Sequence, residues 1–265
     1  MLALVFIGLP FVAANALGKV WLSGTEWSDA RNVLKTAALL SAYWGFVRWV
    51  ERRDVFEFSH VGAARELTLG CALGAALISV AVLLLAGAGW YQVDSLASLG
   101  GAMRLLQLHA FVAVLEEVLF RGVLFRLIEK QVGSWWSLTL STGLFGLAHL
   151  ANPGANAFTL GGLCVLALCL GLAFLATRRL WLCIGLHWSW NFAQGGLFGL
   201  PISGLVVGPG LLSGRTVGPE WATGGAFGLE ASAVTLVCTA GVCLFLARVA
   251  LRRGHVLRAA HYRLR

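Results

Sequence analysis

The chain has 265 residues, of which 58% are hydrophobic and only 12% are charged, and its mean hydropathy is +0.81. Soluble globular domains carry about 25% charged residues, so the composition excludes an ordinary soluble domain, and it also excludes intrinsic disorder, a collagen-like repeat and a secreted disulfide scaffold. We expect an all-α polytopic membrane protein in which residues 1–265 form a single integral membrane domain.

Apolar runs long enough to cross a bilayer follow one another along the chain. A spanning helix needs roughly 20 mostly apolar residues, which predicts a bundle of about eight transmembrane helices. Their approximate ranges are 2–18, 34–50, 67–89, 105–128, 134–151, 157–176, 180–200 and 231–251. The first run ends in Ala14-Asn15-Ala16, which resembles a signal-peptidase site, but it lacks the preceding basic residues of a signal peptide. We therefore expect it to remain as a helix.

The net charge of +8 is concentrated at one set of span ends. Basic residues of this set lie in 51–66, near 130, at 178–179 and from 248 onwards. The opposite loops, near 90–104, 151–157 and 201–230, contain only Arg104 and Arg215, although the 19–33 loop carries Lys19 and Arg31. The positive-inside rule therefore predicts that both termini are cytoplasmic. Nucleic acid is not an expected partner, because no basic stripe is interleaved with surface aromatic residues.

Several residue types support this membrane interpretation. The six cysteines lie inside apolar runs without a CxxC pair, so we expect buried thiols rather than disulfides. Many tryptophans lie near predicted span ends, as an interfacial aromatic belt requires, and glycines within the spans allow helices to approach closely. The segment 201–230 is rich in Gly, Pro and Ser, which favours an ordered external loop or a re-entrant segment.

Two adjacent acidic residues, Glu116 and Glu117, lie in the middle of the fourth predicted span. A charged side chain at the bilayer centre costs about 3 kcal/mol on insertion scales, so such residues are paired or face a polar cavity. Glu117 and Arg121 are four residues apart and can pair directly on one helix face. Glu116 is five residues from Arg121 and points away from it. We predict a buried Glu117–Arg121 ion pair, with Glu116 facing another group.

Two further polar clusters occur within predicted spans. His149 lies near the end of the fifth span, one turn after Phe145, and His187 and Asn191 are four residues apart on one face of the seventh. Together with Glu116 they predict a polar cavity inside the membrane. Simple span counting places His149 and His187 at opposite depths, so one helix must be shifted, broken or tilted for them to meet. The remaining histidines lie in flanks or near a span end without an evident partner: His60, His109, His255 and His261.

The ordered segments EEVLFR (116–121), FGLAH (145–149) and HWSWN (187–191) resemble the EExxxR, FxxxH and HxxxN motifs of the CAAX-processing and bacteriocin-processing (CPBP, Abi) intramembrane glutamic endopeptidases, which are related to the type II CAAX prenyl proteases. The resemblance covers roughly residues 105–200, and similar Gly-rich sequence continues to about 230. It implies a motif-bearing catalytic core at approximately 105–230.

The resemblance also implies a role for each motif residue. Glu116 would be the general base, His149 would orient or polarise the attacking water, and His187 and Asn191 would donate hydrogen bonds to the oxyanion. Glu117 and Arg121 would support the site without touching the substrate. The family is metal-independent, so no cofactor is expected. The expected partners are the lipid bilayer and a membrane-associated peptide or protein, and compact relatives of this kind suggest a bacterial inner membrane.

Other functions remain open from the sequence. Glu116, His149 and His187 form a chemically competent His₂Glu zinc set, although no HExxH motif is present. Intramembrane Glu and His residues also occur in proton relays of transporters, but the inverted repeats typical of these proteins are not evident. A non-catalytic family member acting as a scaffold is the third alternative.

Overall fold

The computed structural model describes residues 27–258, so the predicted first span at 2–18 and His261 lie outside the described residues. Within this part of the chain we number the α-helices in order. They are α1 (Trp27–Gly45), α2 (Ala63–Gly87), α3 (Leu99–Glu117), α4 (Arg126–Val132), α5 (Ser134–Ala148), α6 (Ala157–Thr177), α7 (Trp181–Asn191), α8 (Glu220–Thr223) and α9 (Ala233–Arg252). The dominance of helix agrees with the predicted all-α class.

Among residues 27–258, three helices are long and apolar enough to cross a membrane: α2, α6 and α9. They coincide closely with the spans predicted at 67–89, 157–176 and 231–251. Helices also occupy the other predicted ranges after residue 27, but these helices are shorter or are interrupted. The bundle of eight membrane-crossing helices therefore stays a prediction, whereas the helical positions predicted after residue 27 are confirmed.

Irregular helical turns follow three of the helices. Phe46–Val50 continues α1, Val118–Phe125 joins α3 to α4, and Phe192–Leu197 continues α7, each in π-helical geometry. The second of these makes residues 99–132 one continuous helical rod, which begins where Ser98 Oγ accepts a hydrogen bond from the Gly101 N–H at 2.9 Å. π-helical turns are rare and occur frequently at functional sites. Two of the three directly follow the predicted motif residues Glu116-Glu117 and Asn191.

The structure adds one small sheet to the predicted all-α fold. Strands β1 (Tyr91–Leu96) and β2 (Leu212–Thr216) form a two-stranded antiparallel sheet with Tyr91 opposite Thr216. The sheet ties the loop after α2 to the segment 201–230, which is ordered, as predicted. Tyr91 strengthens the tie because its hydroxyl donates to the Phe198 carbonyl at 3.0 Å. Pairing between such distant segments leaves no local signal in an apolar, glycine-rich sequence.

Glycine allows α2 and α7 to cross at close range. A Cβ atom at Gly70 would lie 2.3 Å from the Leu182 carbonyl oxygen, and one at Gly74 would lie 2.2 Å from that of Leu186. From the other side, a Cβ atom at Gly185 would lie 2.4 Å from the Leu67 carbonyl oxygen. Neither helix can carry a larger residue at this crossing without moving. The crossing therefore fixes α7, the helix that carries His187 and Asn191.

Ion pairs join the helix ends at the basic side of the molecule. Arg126 at the start of α4 pairs with Glu51 at 2.7 Å and with Glu57 at 3.0 Å, and Arg178 after α6 pairs with Glu129 at 2.6 Å. Burial raises the pKa of the Glu57 carboxyl, whereas the neighbouring Arg53 opposes this rise. All six cysteines are free, and three of them are buried. This agrees with the prediction of thiols without disulfides.

Candidate active site

The two adjacent acids at the end of α3 have different environments, as predicted. The Glu117 side chain is fully buried, and its Oε1 accepts a hydrogen bond from Arg121 Nη1 at 2.9 Å. Arg121 is itself 2% exposed, donates from Nη2 to the Ala167 carbonyl at 2.7 Å and lies over the Phe145 ring at 5.0 Å. The predicted Glu117–Arg121 ion pair is confirmed. Its arginine also joins α3 to α6.

Glu117 has a second partner that the sequence did not indicate. Nδ1 of His187, on α7, lies 2.8 Å from Glu117 Oε1. A carboxylate paired with a guanidinium is an acceptor only, so we assign the proton of this hydrogen bond to Nδ1 of His187. The carboxylate therefore sets the ring orientation of His187 and directs its Nε2 away from Glu117.

Glu116 lies on the other side of the same histidine. Its Oε2 is 3.8 Å from His187 Nε2, which is beyond hydrogen-bond distance. The Glu116 side chain is 22% exposed, whereas Glu117 is fully buried. Glu116 therefore has its carboxylate directed into a cavity, next to an imidazole nitrogen that Glu117 does not use.

Phe145 brings His149 and His187 together. His149 caps α5, and its Nδ1 donates to the Phe145 carbonyl at 2.8 Å, four residues back along the chain. This bond folds the imidazole over the Phe145 ring, with the ring centroids 4.8 Å apart in a stacked geometry. Phe145 also meets His187 edge to face at 6.2 Å. His149 and His187 therefore line one cavity, although span counting placed them at opposite depths.

A cavity of about 100 Å³ joins the four predicted catalytic residues, Glu116, His149, His187 and Asn191. Asn191 is one turn after His187 on α7 and is buried, and the helix changes to π geometry directly after it. Most of the remaining wall is apolar, with Leu163 and Leu166 of α6 among its residues. The arrangement can hold a small polar group or a carbonyl among a carboxylate, two imidazoles and an amide.

The same cavity is lined by polar residues that the motifs did not include. They are His109, Asn152, Ser203 and Glu230. His109 precedes Glu116 by seven residues, a helical spacing that places both on one face. The Asn152 side-chain amide donates to the Ser203 carbonyl at 2.8 Å. The spacing of His109 is the signal that could have identified it, whereas Asn152, Ser203 and Glu230 reach the cavity through loops.

Glu230 anchors the loop segment that borders the cavity. Its carboxylate accepts hydrogen bonds from Gln194 Nε2 at 2.7 Å, the Ser203 N–H at 3.0 Å and the Ser203 hydroxyl at 3.3 Å. It lies before α9, outside the spanning helices, and is 1% exposed. Burial raises the pKa of Glu230 to about 7, although these hydrogen bonds favour the charged form and oppose the rise. The carboxyl therefore titrates near neutral pH.

Among residues 27–258, no group of three or more His, Cys, Asp and Glu side chains has the geometry to hold a metal ion. Glu116, His149 and His187, the set considered for zinc from the sequence, therefore do not have this geometry either. In this arrangement Nδ1 of both histidines is occupied by protein acceptors.

Comparison with known families supports the resemblance seen in the three motifs. Residues 97–193 match the family described as Type II CAAX prenyl endopeptidase Rce1-like. This range contains EExxxR, FxxxH and HxxxN, and in the structure it extends from just before α3 to the π-helical turn after α7. The resemblance predicted from the motifs is thus confirmed over this range, and it implies a protease of the endopeptidase type. No curated protein and no solved structure matches the chain.

Proposed function

We propose that this protein is an intramembrane endopeptidase that hydrolyses a peptide bond with a water molecule activated by Glu116. The observation that carries the proposal is that the two adjacent acids make different contacts. Glu117 is occupied by Arg121 and His187, whereas Glu116 has its carboxylate in the cavity, 3.8 Å from His187 Nε2. A general base must be accessible to the reacting water, and the Glu116 carboxylate is not paired with the Arg121 guanidinium.

In the proposed first step, the Glu116 carboxylate takes a proton from water as the water oxygen attacks the scissile carbonyl carbon. This forms a tetrahedral intermediate with a negative oxygen. Nε2 of His187 and the Asn191 side-chain amide line the same cavity as Glu116. When His187 is cationic it carries a second N–H at Nε2, and this group and the amide donate to the oxyanion. Preorganised donors of this kind contribute a large part of transition-state stabilisation.

In the second step, the intermediate collapses and the C–N bond breaks. The proton held by Glu116 passes to the leaving amine nitrogen, so the carboxylate returns to its starting state. His149 contributes by positioning the water, because its Nδ1 is bound to the Phe145 carbonyl and its Nε2 is left for the cavity. Glu117 and Arg121 do not touch the reacting atoms in this scheme; they set the orientation of His187.

We propose that the reaction needs no metal ion or other cofactor. The steps above use a carboxylate, two imidazoles and an amide, all supplied by the chain. Metal analysis of the purified protein, combined with peptidase activity after chelation, tests this proposal. Full activity without bound metal supports it, and loss of activity that zinc restores contradicts it.

The proposed substrate is a peptide or protein that reaches the cavity from the membrane. The cavity wall is mostly apolar, and three helices are suited to crossing a bilayer. We propose that the enzyme itself is an integral protein of a bacterial inner membrane. Both of its termini are then on the cytoplasmic side, because the basic residues collect at that set of span ends. Accessibility labelling of cysteines introduced as Arg258→Cys and Arg215→Cys distinguishes the cytoplasmic side of the membrane from the opposite side.

Comparative peptidomics of cells that carry the wild type or Glu116→Ala identifies the substrate. The proposal predicts peptides that accumulate only with the wild type and that share a cleavage site. Glu220→Ala is a suitable control, because Glu220 lies on the short helix α8 and does not line the cavity. Identical peptide profiles for the wild type and Glu116→Ala would contradict the proposal.

A further inference from the structure

His109 is a buried histidine in the wall of the catalytic cavity that has no assigned task. It lies on α3 and is 3% exposed. Among residues 27–258, neither of its ring nitrogens has a hydrogen-bond partner. Buried polar groups in native proteins are nearly always paired, and an unpaired one calls for a specific explanation. A histidine with a purely structural task would have a partner in the fold, as His255 does.

The position of His109 relative to Glu116 is set by the helix. Seven residues correspond to about 10.5 Å along an α-helix and to almost two full turns, so both side chains are on one face. Val112 lies between them and also lines the cavity. The wall therefore presents a carboxylate at one end, an imidazole at the other and an apolar surface between them.

The turn after α7 packs closely against the imidazole. Gly195 belongs to the π-helical turn after α7, and a Cβ atom there would lie 3.4 Å from His109 Cε1 and 2.7 Å from Ile202 Cδ1. A glycine at this point lets the turn approach the ring and Ile202 closely. The ring lines the same cavity as Glu116.

We propose that His109 forms a binding subsite for the backbone of the substrate peptide, donating a ring N–H to a carbonyl oxygen about three residues from the scissile bond. This rests on the proposed function, because the scissile bond is placed at Glu116. An imidazole carries at least one N–H donor in either charge state. An extended peptide advances about 3.3 Å per residue, so the distance from Glu116 to His109 spans three residues. The main-chain carbonyl is an acceptor that every peptide offers at this distance.

The test uses an internally quenched ten-residue peptide centred on a cleavage site found in the peptidomic comparison. His109→Leu should raise KM about ten-fold, the effect of one lost hydrogen bond of about 1.4 kcal/mol, and leave kcat within about two-fold. A bond made equally in the ground state and the transition state changes KM alone. His109→Gln keeps an N–H donor and should restore most of the affinity. The thermal midpoint of His109→Leu in detergent should not fall, because no hydrogen bond inside the protein is lost.

Shortened peptides locate the contact. Removing residues one at a time from either end should abolish the difference between wild type and His109→Leu once the residue about three positions from the cleavage site is gone. His109→Met serves as a second apolar variant where the leucine variant fails to fold. A KM for both apolar variants within two-fold of wild type, or a joint fall in kcat and thermal midpoint, would overturn the subsite while Glu116 remained essential. Absence of any wild-type cleavage would overturn both the proposed function and the subsite.

Discussion

His187 Nδ1 and Glu117 Oε1 are joined by a hydrogen bond of 2.8 Å, although the two residues are separated by 70 positions in the chain. This bond gives the second glutamate of the EExxxR motif a task besides its ion pair with Arg121. It also explains why two adjacent acids are needed. One carboxylate holds the histidine, and the other is left to face the cavity.

Glu117→Gln should lower both stability and activity. The change removes a buried negative charge and leaves the Arg121 guanidinium without its ionic partner, and breaking a buried ion pair costs about 3–5 kcal/mol. Thermal unfolding in detergent, followed by circular dichroism, measures the first effect. Peptidase assays on the folded fraction measure the second. An unchanged thermal midpoint would show that the ion pair is not needed to hold α3, α6 and α7 together.

Asn191→Ala should reduce kcat by about 10²–10³-fold with little change in KM, which is the usual cost of removing one oxyanion donor. The residue is buried at the end of α7 and lines the cavity with Glu116 and His187. Steady-state kinetics with one quenched peptide measures both constants. A rise in KM at constant kcat would instead assign Asn191 to substrate binding.

Glu230→Gln should change the pH dependence of stability. Because the pKa of Glu230 is raised to about 7 from its ordinary 4.5, the folded state holds a proton between these values that the unfolded state releases. The contribution of Glu230 to the free energy of unfolding is therefore present at low pH and is lost as the pH rises from about 4.5 to 7. The loss approaches about 3 kcal/mol, at about 1.4 kcal/mol per pH unit.

The matching measurement is the thermal midpoint of wild type and Glu230→Gln at several values between pH 5 and pH 8. The wild type should lose stability over this interval, and the variant should lose less. The other residues of the cavity wall are the same in both proteins, so the difference between the two curves isolates Glu230. Parallel curves would contradict the assignment.

The crossing of α2 and α7 gives a further prediction. Gly185→Ala places a Cβ atom 2.4 Å from the Leu67 carbonyl oxygen, so the helices must separate and His187, two residues later, must move. Gly241→Ala on α9 meets nothing within 4 Å and is the matched control. We expect reduced activity and a lower thermal midpoint for the first variant only. Equal behaviour of the two variants would show that the close crossing does not position α7.

Properties that depend on local sequence were predicted well. Runs of apolar residues place the helices, and the spacing of four between Glu117 and Arg121 predicts their ion pair, because both follow from the geometry of a single helix. The positions of Glu116, His149, His187 and Asn191 within the predicted spans also predict that they share a cavity. The family resemblance assigns their roles.

Properties that depend on long-range contacts were not predictable. The bond between Glu117 and His187 and the pairing of β1 with β2 join segments that carry no signal of each other. The change to π-helical geometry after Glu117 and Asn191 likewise has no signal in the motifs. No local pattern marks Glu230, because its burial arises only when the 201–230 segment folds over the cavity.

The central claim is that Glu116 is the general base, and its most direct test is the kinetics of purified Glu116→Gln beside wild type. The variant keeps the size of the side chain but cannot take a proton. We predict that kcat falls by about 10²–10⁴-fold, while the thermal midpoint stays at the wild-type value because Glu116 makes no ion pair with Arg121. A folded Glu116→Gln protein that cleaves the same peptide at the wild-type rate would contradict the account.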